Sequence, residues 1–132
     1  MSPTSALPTW LTDAIDSLTT GDLDGWMSIY TPDAVHEFPF APADRVRRLE
    51  GREAIAAYMS EIVNGGRLRF GSFTNIRARA AGDEIIVEAD GHHHRIADDA
   101  PVQLSYVWFI TLHDGQVTHL RDYMGPLQLS TR

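Results

Sequence analysis

The sequence of 132 residues contains no cysteine. This absence excludes disulfide bonds, thiolate nucleophiles and cysteine-based metal sites. Cations are also scarce, because Lys and Arg number 11 against 18 Asp and Glu, which gives a formal net charge of -7. Nucleic-acid-binding surfaces need clustered cations, so we expect no nucleic-acid partner. The arginines at 45–52 are flanked by Asp44, Glu50 and Glu53, which is typical of a solvated loop.

Long apolar runs are missing as well. No stretch approaches the roughly 20 apolar residues of a membrane-spanning helix. Residues 1–8 lack the basic and then apolar pattern of a signal peptide. We therefore expect a cytoplasmic protein with no membrane partner. The hydrophobic fraction of 43% is still sufficient for one continuous core.

Helical spacing of apolar residues dominates the first half of the chain. The pattern predicts helices at 9–19, 22–30 and 53–63, with a strand at 34–40 and a loop at 41–49 between the last two. Thr9 is a good N-cap for the first helix. Residues 1–7 are predicted to be a flexible arm, and 8–132 to be one domain.

Alternation with period two takes over in the second half of the chain. It predicts strands at 67–80, 84–96, 102–113 and 116–124. Asp114 and Gly115 between the last two are a good hairpin signal. Helices followed by an antiparallel meander indicate an α+β fold, with one curved sheet wrapped around three N-terminal helices.

Four stretches together resemble the ketosteroid isomerase-like and SnoaL-like branch of the nuclear transport factor 2-like (NTF2-like) superfamily. The stretches are Gly21-Asp22-Leu23-Asp24-Gly25 with Tyr30-Thr31-Pro32-Asp33-Ala34-Val35, Leu49-Glu50-Gly51-Arg52-Glu53-Ala54-Ile55, Val87-Glu88-Ala89-Asp90-Gly91-His92, and Asp114 through Met124. The third is similar to phenazine-biosynthesis A/B proteins, and the fourth to limonene-epoxide hydrolases and polyketide cyclases. The resemblance implies a cone-shaped pocket between sheet and helices.

The last strand supplies the best acid–base candidate, Asp122. Strand alternation places Leu120, Asp122 and Met124 on one face, and the resemblance places that face inside the cone. Burial among apolar side chains favours the neutral form of a carboxylate, which suits proton transfer. A structural role at the pocket edge is the alternative interpretation.

Two further residues are candidates for catalysis. His36 lies on the first strand and is placed to pair with Asp122 across the cone, where an imidazole suits a proton shuttle. Tyr58, on the third helix, matches the position where phenazine proteins carry a histidine. For both residues a purely structural role remains an alternative.

The sequence departs from two of the families it resembles. The isomerase base falls on Phe38, its oxyanion tyrosine on Ala14 and its second acid near Val107. The Arg and Asp of epoxide hydrolases match Ala89 and Gly91, so that machinery is absent. A register shift of one residue would instead turn the carboxylates of 88 and 90 inward, and the sequence leaves this alternative open.

The aromatic and aliphatic residues around the cone predict a pocket for a small hydrophobic molecule. The predicted substrate-binding residues are Trp26, Tyr30, Phe38, Phe40, Phe109, Leu120 and Met124. We expect no cofactor. We also expect no metal, because only His92 and His94 of the triple histidine share a strand face.

The strand at 102–113 is apolar on both faces. In the superfamily it resembles, the outer face of the sheet commonly forms a dimer. The resemblance therefore implies a homodimer, with Tyr106 and Trp108 on the outer face. For function, two hypotheses follow: a cofactor-free isomerase, cyclase or hydrolase-like catalyst acting on a carbonyl compound, or a non-catalytic ligand-binding or accessory domain.

Overall fold

The computed structural model describes residues 7–126. Its elements are α1 Thr9–Thr20, α2 Leu23–Met27, β1 Tyr30–Glu37, β2 Arg48–Glu50, α3 Arg52–Val63, β3 Leu68–Ala81, β4 Glu84–Arg95, β5 Pro101–His113 and β6 Gln116–Pro126. The predicted arm at 1–7, apart from Leu7, lies outside the described residues, and so do 127–132. No helix in the described part is long and apolar enough to cross a membrane.

The six strands form one mixed sheet in the order β2-β1-β6-β5-β4-β3. β1 runs parallel to β6, and all other neighbours are antiparallel. Register shifts interrupt the β3–β4 ladder twice, and bulges of this kind bend a strand and increase its twist. The α+β prediction is therefore confirmed, with the sheet curved over the helices.

The core lies between the helices and the inner face of the sheet. On α1, the residues at helical spacing are buried, and Leu11 is 0% exposed. Val87 on β4, Ile110 on β5 and Val117 on β6 are likewise fully buried, so three neighbouring strands contribute to the core. Burying one such aliphatic side chain completely stabilises the fold by roughly 1.5–3 kcal/mol.

The junction between α2 and β1 differs from the prediction. Helix α2 ends at Met27, and Tyr30, predicted as the end of that helix, begins β1 instead. The reason is tertiary: Tyr30 aligns with Val117 of β6, and the Val117 N–H donates to the Ile29 carbonyl. The β1–β6 register shifts in the stretch that contains Pro32, because proline cannot donate to a ladder.

The predicted faces of β5 are reversed in the structure. Tyr106 and Trp108, predicted on the outer face, are 6% and 4% exposed and point inward. Trp108 lies directly opposite Asp122 of β6, and directly paired residues share a face of the sheet. An inward Asp122 therefore requires an inward Trp108. Phe109, predicted in the pocket, accordingly lies on the outer face.

Candidate active site

A cavity of about 140 Å³ lies between the helices and the inner face of the sheet. Most of its lining is aromatic or aliphatic. The side chains that bring polar atoms to it are His36, Tyr58, Tyr106, Trp108 and Asp122. A cavity of about 150 Å³ in another protein holds benzene, so this one fits a molecule about the size of a six-membered ring.

A groove of about 390 Å³ adjoins this cavity. The two share Phe38, Tyr58, Ile62, Asp122 and Met124 in their linings. The groove also contacts the loop after β1 and carries two arginines and a glutamate at its rim: Arg45, Arg67 and Glu61. Asp122 therefore stands where the outer groove meets the inner cavity.

Asp122 is 9% exposed, and its carboxylate is held by two neighbouring side chains. Trp108 Nε1 donates to Oδ1 at 3.0 Å, and His36 Nε2 lies 3.3 Å from Oδ2. On the other side of the imidazole, His36 Nδ1 lies 3.1 Å from the Tyr30 hydroxyl. The structure thus brings together His36 and Asp122, as strand parity predicts.

The direction of these hydrogen bonds follows from the groups involved. An indole N–H only donates, and an ionised carboxylate only accepts, so His36 Nε2 carries the proton toward Asp122. In the neutral imidazole, Nδ1 then accepts from Tyr30. Burial, with the charge of Asp122 adding to it, raises the pKa of Tyr30, which keeps this phenol protonated as the donor. The chain of donors ends on the carboxylate.

Tyr58 approaches the same space from α3. Phe38 lies between it and His36, with ring centroids 5.2 Å from Tyr58 and 4.6 Å from His36. Within the described residues, Tyr58 makes no hydrogen bond to Asp122 or His36. Burial raises the pKa of Tyr58, so its hydroxyl remains a neutral donor beside the cavity and the groove.

The other predicted pocket residues divide into three groups. Phe38 and Met124 line the cavity. Trp26, Tyr30 and Leu120 are buried in the core behind it, and Trp26 packs against Trp108 with ring centroids 6.1 Å apart. This second group supports the cavity wall.

Phe40 and Phe109 lie elsewhere. Phe40 is 72% exposed at the groove and packs edge-on against Tyr123 at 5.0 Å. Phe109 lies on the outer face under the Arg121 guanidinium, 4.8 Å from its ring centroid. The prediction of Phe109 as a pocket residue is wrong, because β5 presents Trp108 inward and alternation turns its neighbour outward.

Sequence reasoning missed a second polar group behind the cavity wall, centred on His93. This residue is 0% exposed, its Nδ1 accepts from the Gly71 N–H at 3.0 Å, and its Nε2 lies 2.9 Å from the Tyr106 hydroxyl. The signal was available in the alternation of β4. Ala89 and Gly91 face inward, and the same alternation turns His93 inward and Glu88 and Asp90 outward, which decides between the two registers that the sequence left open.

The flanking histidines lie on the opposite face of β4. His92 Nε2 is 2.7 Å from the Thr74 hydroxyl. His92 and His94 lie on the same face of β4, as the alternation of the strand predicted. Over residues 7–126, no group of three or more His, Asp or Glu side chains is arranged to hold a metal ion.

The chain belongs to the SnoaL-like domain family, whose family model matches residues 11–120. It is 30% identical, over 120 residues, to an uncharacterised PhzA/B-like protein of Pseudomonas aeruginosa, covering 89% of this chain and 83% of that protein. The predicted resemblances to SnoaL-like and phenazine-biosynthesis A/B proteins are thereby confirmed.

Solved structures show the same fold. A Bacillus subtilis protein provisionally named an isomerase superposes with a TM-score of 0.80 at 28% identity, covering 89% of this chain and 84% of that one. A Catenulispora acidiphila protein with a ketosteroid isomerase-like fold, solved with trimethylamine, gives 0.73 at 18% identity, covering 89% and 86%. The latter likeness concerns the fold alone.

The burial of His93 predicts an acid-sensitive stability. Burial, with the nearby His92 and His94 adding to it, lowers the pKa of His93 to about 4 from 6.5. Between these values the unfolded chain binds the proton and the folded protein does not, so stability falls as the pH falls. The full effect is about 3 kcal/mol between pH 7 and 4.

The non-titrating variant His93→Gln isolates this contribution. Urea unfolding at pH 7 and at pH 4 is expected to show that the wild type loses about 3 kcal/mol more than the variant. His113→Gln, at the exposed end of β5, serves as the control and keeps the wild-type pH dependence. Equal losses in wild type and His93→Gln would contradict the assignment.

Proposed function

We propose that this protein is a cofactor-independent acid–base catalyst that moves a proton on a small hydrophobic carbonyl compound. The observation that carries the proposal is the Asp122 carboxylate, which is buried at the junction of cavity and groove and oriented by two donors. A base so placed meets a ligand without competing bulk water, and the surrounding apolar walls strengthen its interactions with that ligand.

Both oxygens of Asp122 already accept one hydrogen bond each. A carboxylate offers about four lone-pair sites, so each oxygen retains capacity toward the cavity. Trp108 and His36 act as positioning residues in this scheme, since they fix the carboxylate plane. Tyr58 is the neutral donor for a ligand oxygen at the entrance.

The chemistry requires no group beyond these side chains. Asp122 removes a proton from the carbon next to the carbonyl, and the C–H electron pair moves toward the carbonyl, giving an enolate whose oxygen carries the charge. Hydrogen-bond donors stabilise that oxygen. Return of the proton to another carbon of a conjugated system isomerises the compound. Attack of the enolate carbon on a second carbonyl of the same molecule, followed by protonation, closes a ring.

The dimensions of the site restrict the substrate. The inner cavity of about 140 Å³ fits one six-membered ring or a short branched chain. A larger substrate would extend its remainder into the groove, past Arg45 and Arg67. The provisional isomerase name of the Bacillus subtilis structure, at 28% identity, agrees with a reaction of this class.

A direct test uses the exchange of carbon-bound protons with D₂O. Cyclohexanone and 2-cyclohexenone are incubated with the protein, and deuterium incorporation next to the carbonyl is followed by NMR. Asp122→Asn is expected to reduce the protein-catalysed rate by about 10²-fold or more, because an amide cannot accept the proton. Asp83→Asn, at an exposed turn, is the matched control and keeps the wild-type rate.

The outcome decides between catalysis and binding. The alternative function, a non-catalytic hydrophobic-ligand-binding domain, is favoured by the two protein donors that already engage Asp122. If both ketones bind in the cavity but neither exchanges faster than in buffer, the catalytic proposal is wrong and the binding function stands.

We further propose that the chain forms a homodimer through the outer face of the sheet. That face carries Phe109 and Tyr123, which pack edge-on with ring centroids 5.6 Å apart, and the exposed Phe40 extends the same aromatic surface. Adjoining aromatic side chains on one face favour a protein–protein interface.

Light scattering coupled to size exclusion tests this assembly. The wild type is expected at twice the chain mass of 14.7 kDa. Phe109→Asp is expected to run as the monomer, because it removes the aromatic contact with Tyr123 and places a carboxylate in the interface that must lose its water. Ala97→Asp, in the exposed turn between β4 and β5, leaves the dimer intact. A monomeric wild type would rule the interface out.

A further inference from the structure

The His93 group is built around a bulge in β3. The β3–β4 register shifts between Arg69 and Ser72, and within this interruption the Gly71 N–H donates to His93 Nδ1 rather than to a carbonyl of β4. A Cβ at Gly71 would lie 1.9 Å from the His92 carbonyl oxygen, so only glycine allows the strands to approach this closely. The bulge thus aims one backbone donor at the imidazole.

This contact determines which nitrogen of His93 carries the proton. A backbone N–H can only donate, so Nδ1 accepts and has no proton of its own. Burial keeps the imidazole neutral at pH 7 by lowering the pKa of His93 to about 4. The single ring proton of the neutral imidazole is therefore on Nε2, which donates to the Tyr106 hydroxyl 2.9 Å away.

The Tyr106 hydroxyl is consequently an acceptor toward His93, and its own proton is free for another partner. Within the described residues 7–126, His93 is the one side chain in hydrogen-bonding contact with this hydroxyl. Tyr106 is buried and forms part of the cavity wall. Burial, with the Asp122 charge adding to it, raises the pKa of Tyr106, so the proton stays on the phenol oxygen.

Gly91 provides the room for this pair. It faces inward on β4 between Ala89 and His93, and a Cβ there would lie 2.4 Å from His93 Nε2 and 2.8 Å from the Tyr106 ring. The rings of Phe70 and Phe73 close the site edge-on at 4.9 and 5.3 Å from His93. The packing therefore allows the imidazole little freedom to rotate away from Tyr106.

Tyr106 lies on the strand next to that of the proposed base, Asp122. Its direct partner on β6 is Met124, so Asp122 is its diagonal neighbour on the adjacent strand, and side chains in that relation lie within reach of one another. Both residues line the same cavity of about 140 Å³, so one small molecule there contacts the walls that carry both groups.

We propose that Tyr106, positioned by His93, donates a hydrogen bond to the oxygen of a small ketone or aldehyde in the cavity, with the adjacent C–H toward Asp122. The assignment rests on the proposed function and names a second donor, in addition to Tyr58, for the developing enolate oxygen. His93 is a positioning residue, which acts by keeping the Tyr106 proton directed at the ligand.

The test compares two probes of nearly equal shape, [1-¹³C]cyclohexanone and methylenecyclohexane, which lacks the acceptor oxygen. NMR titration of wild type and Tyr106→Phe is expected to show a roughly 3- to 10-fold loss of affinity for the ketone, the size of one hydrogen bond. Affinity for the alkene changes little. The ¹³C resonance of the bound carbonyl moves upfield in the variant, because the donor is gone.

Two further variants separate this role from a structural one. Gly91→Ala keeps the hydroxyl and displaces His93, so it is expected to lower the ketone-to-alkene affinity ratio as Tyr106→Phe does. Tyr123→Phe removes a phenol from the outer face and leaves the ratio unchanged. Because the readout is a ratio, a general loss of stability does not produce the expected result.

The proposal is overturned if the wild type shows no preference for the ketone, or if Tyr106→Phe alters both affinities equally and leaves the carbonyl resonance unchanged. The proposed catalytic function is tested by a different measurement, deuterium exchange, so the two proposals can fail independently. Selective loss of ketone binding in Tyr106→Phe without any deuterium exchange by the wild type supports the donor and refutes the catalyst. Exchange at the wild-type rate in Tyr106→Phe supports the catalyst and refutes the donor.

Discussion

The site is organised by one constraint, the burial of the Asp122 carboxylate in an otherwise apolar interior. A buried charge is costly unless hydrogen bonds replace its lost water. Here the indole N–H of Trp108 and the imidazole of His36 replace it, and Tyr30 extends the chain of donors. These four side chains lie on three adjacent strands, β1, β6 and β5. The carboxylate therefore couples the alignment of those strands to the geometry of the cavity.

Much of this arrangement was predictable from local patterns. Alternation predicted that Asp122 shares a face with Leu120 and Met124, the family resemblance implied that this face is the inward one, and His36 was placed to pair with Asp122. The inward face of β5 was not predictable in the same way. Its residues are apolar on both faces, so the pattern does not indicate which face points into the core. The face is decided by the pairing of Trp108 with Asp122, which is a property of the assembled sheet. Tyr30 was misassigned for a similar reason, since β6 draws it into the sheet.

The His93 group illustrates a different limit. Its essential partner is a backbone N–H, made available by a bulge at Gly71, and a sequence pattern reveals neither. Two polar groups thus approach one apolar cavity from different parts of its wall: an acceptor, Asp122, and a donor, Tyr106. The SnoaL-like family supplies the fold, while the reaction depends on such residues, which vary within a shared architecture.

The central claim is that the Asp122 carboxylate contacts whatever occupies the cavity. The most direct measurement is the side-chain carboxyl ¹³C resonance of Asp122, followed by NMR while cyclohexanone is added. The account predicts that this resonance shifts with ligand, whereas that of Asp90, held by Asn75 and Ser105 away from the cavity, remains in place. A ligand that binds without moving the Asp122 resonance would contradict the account.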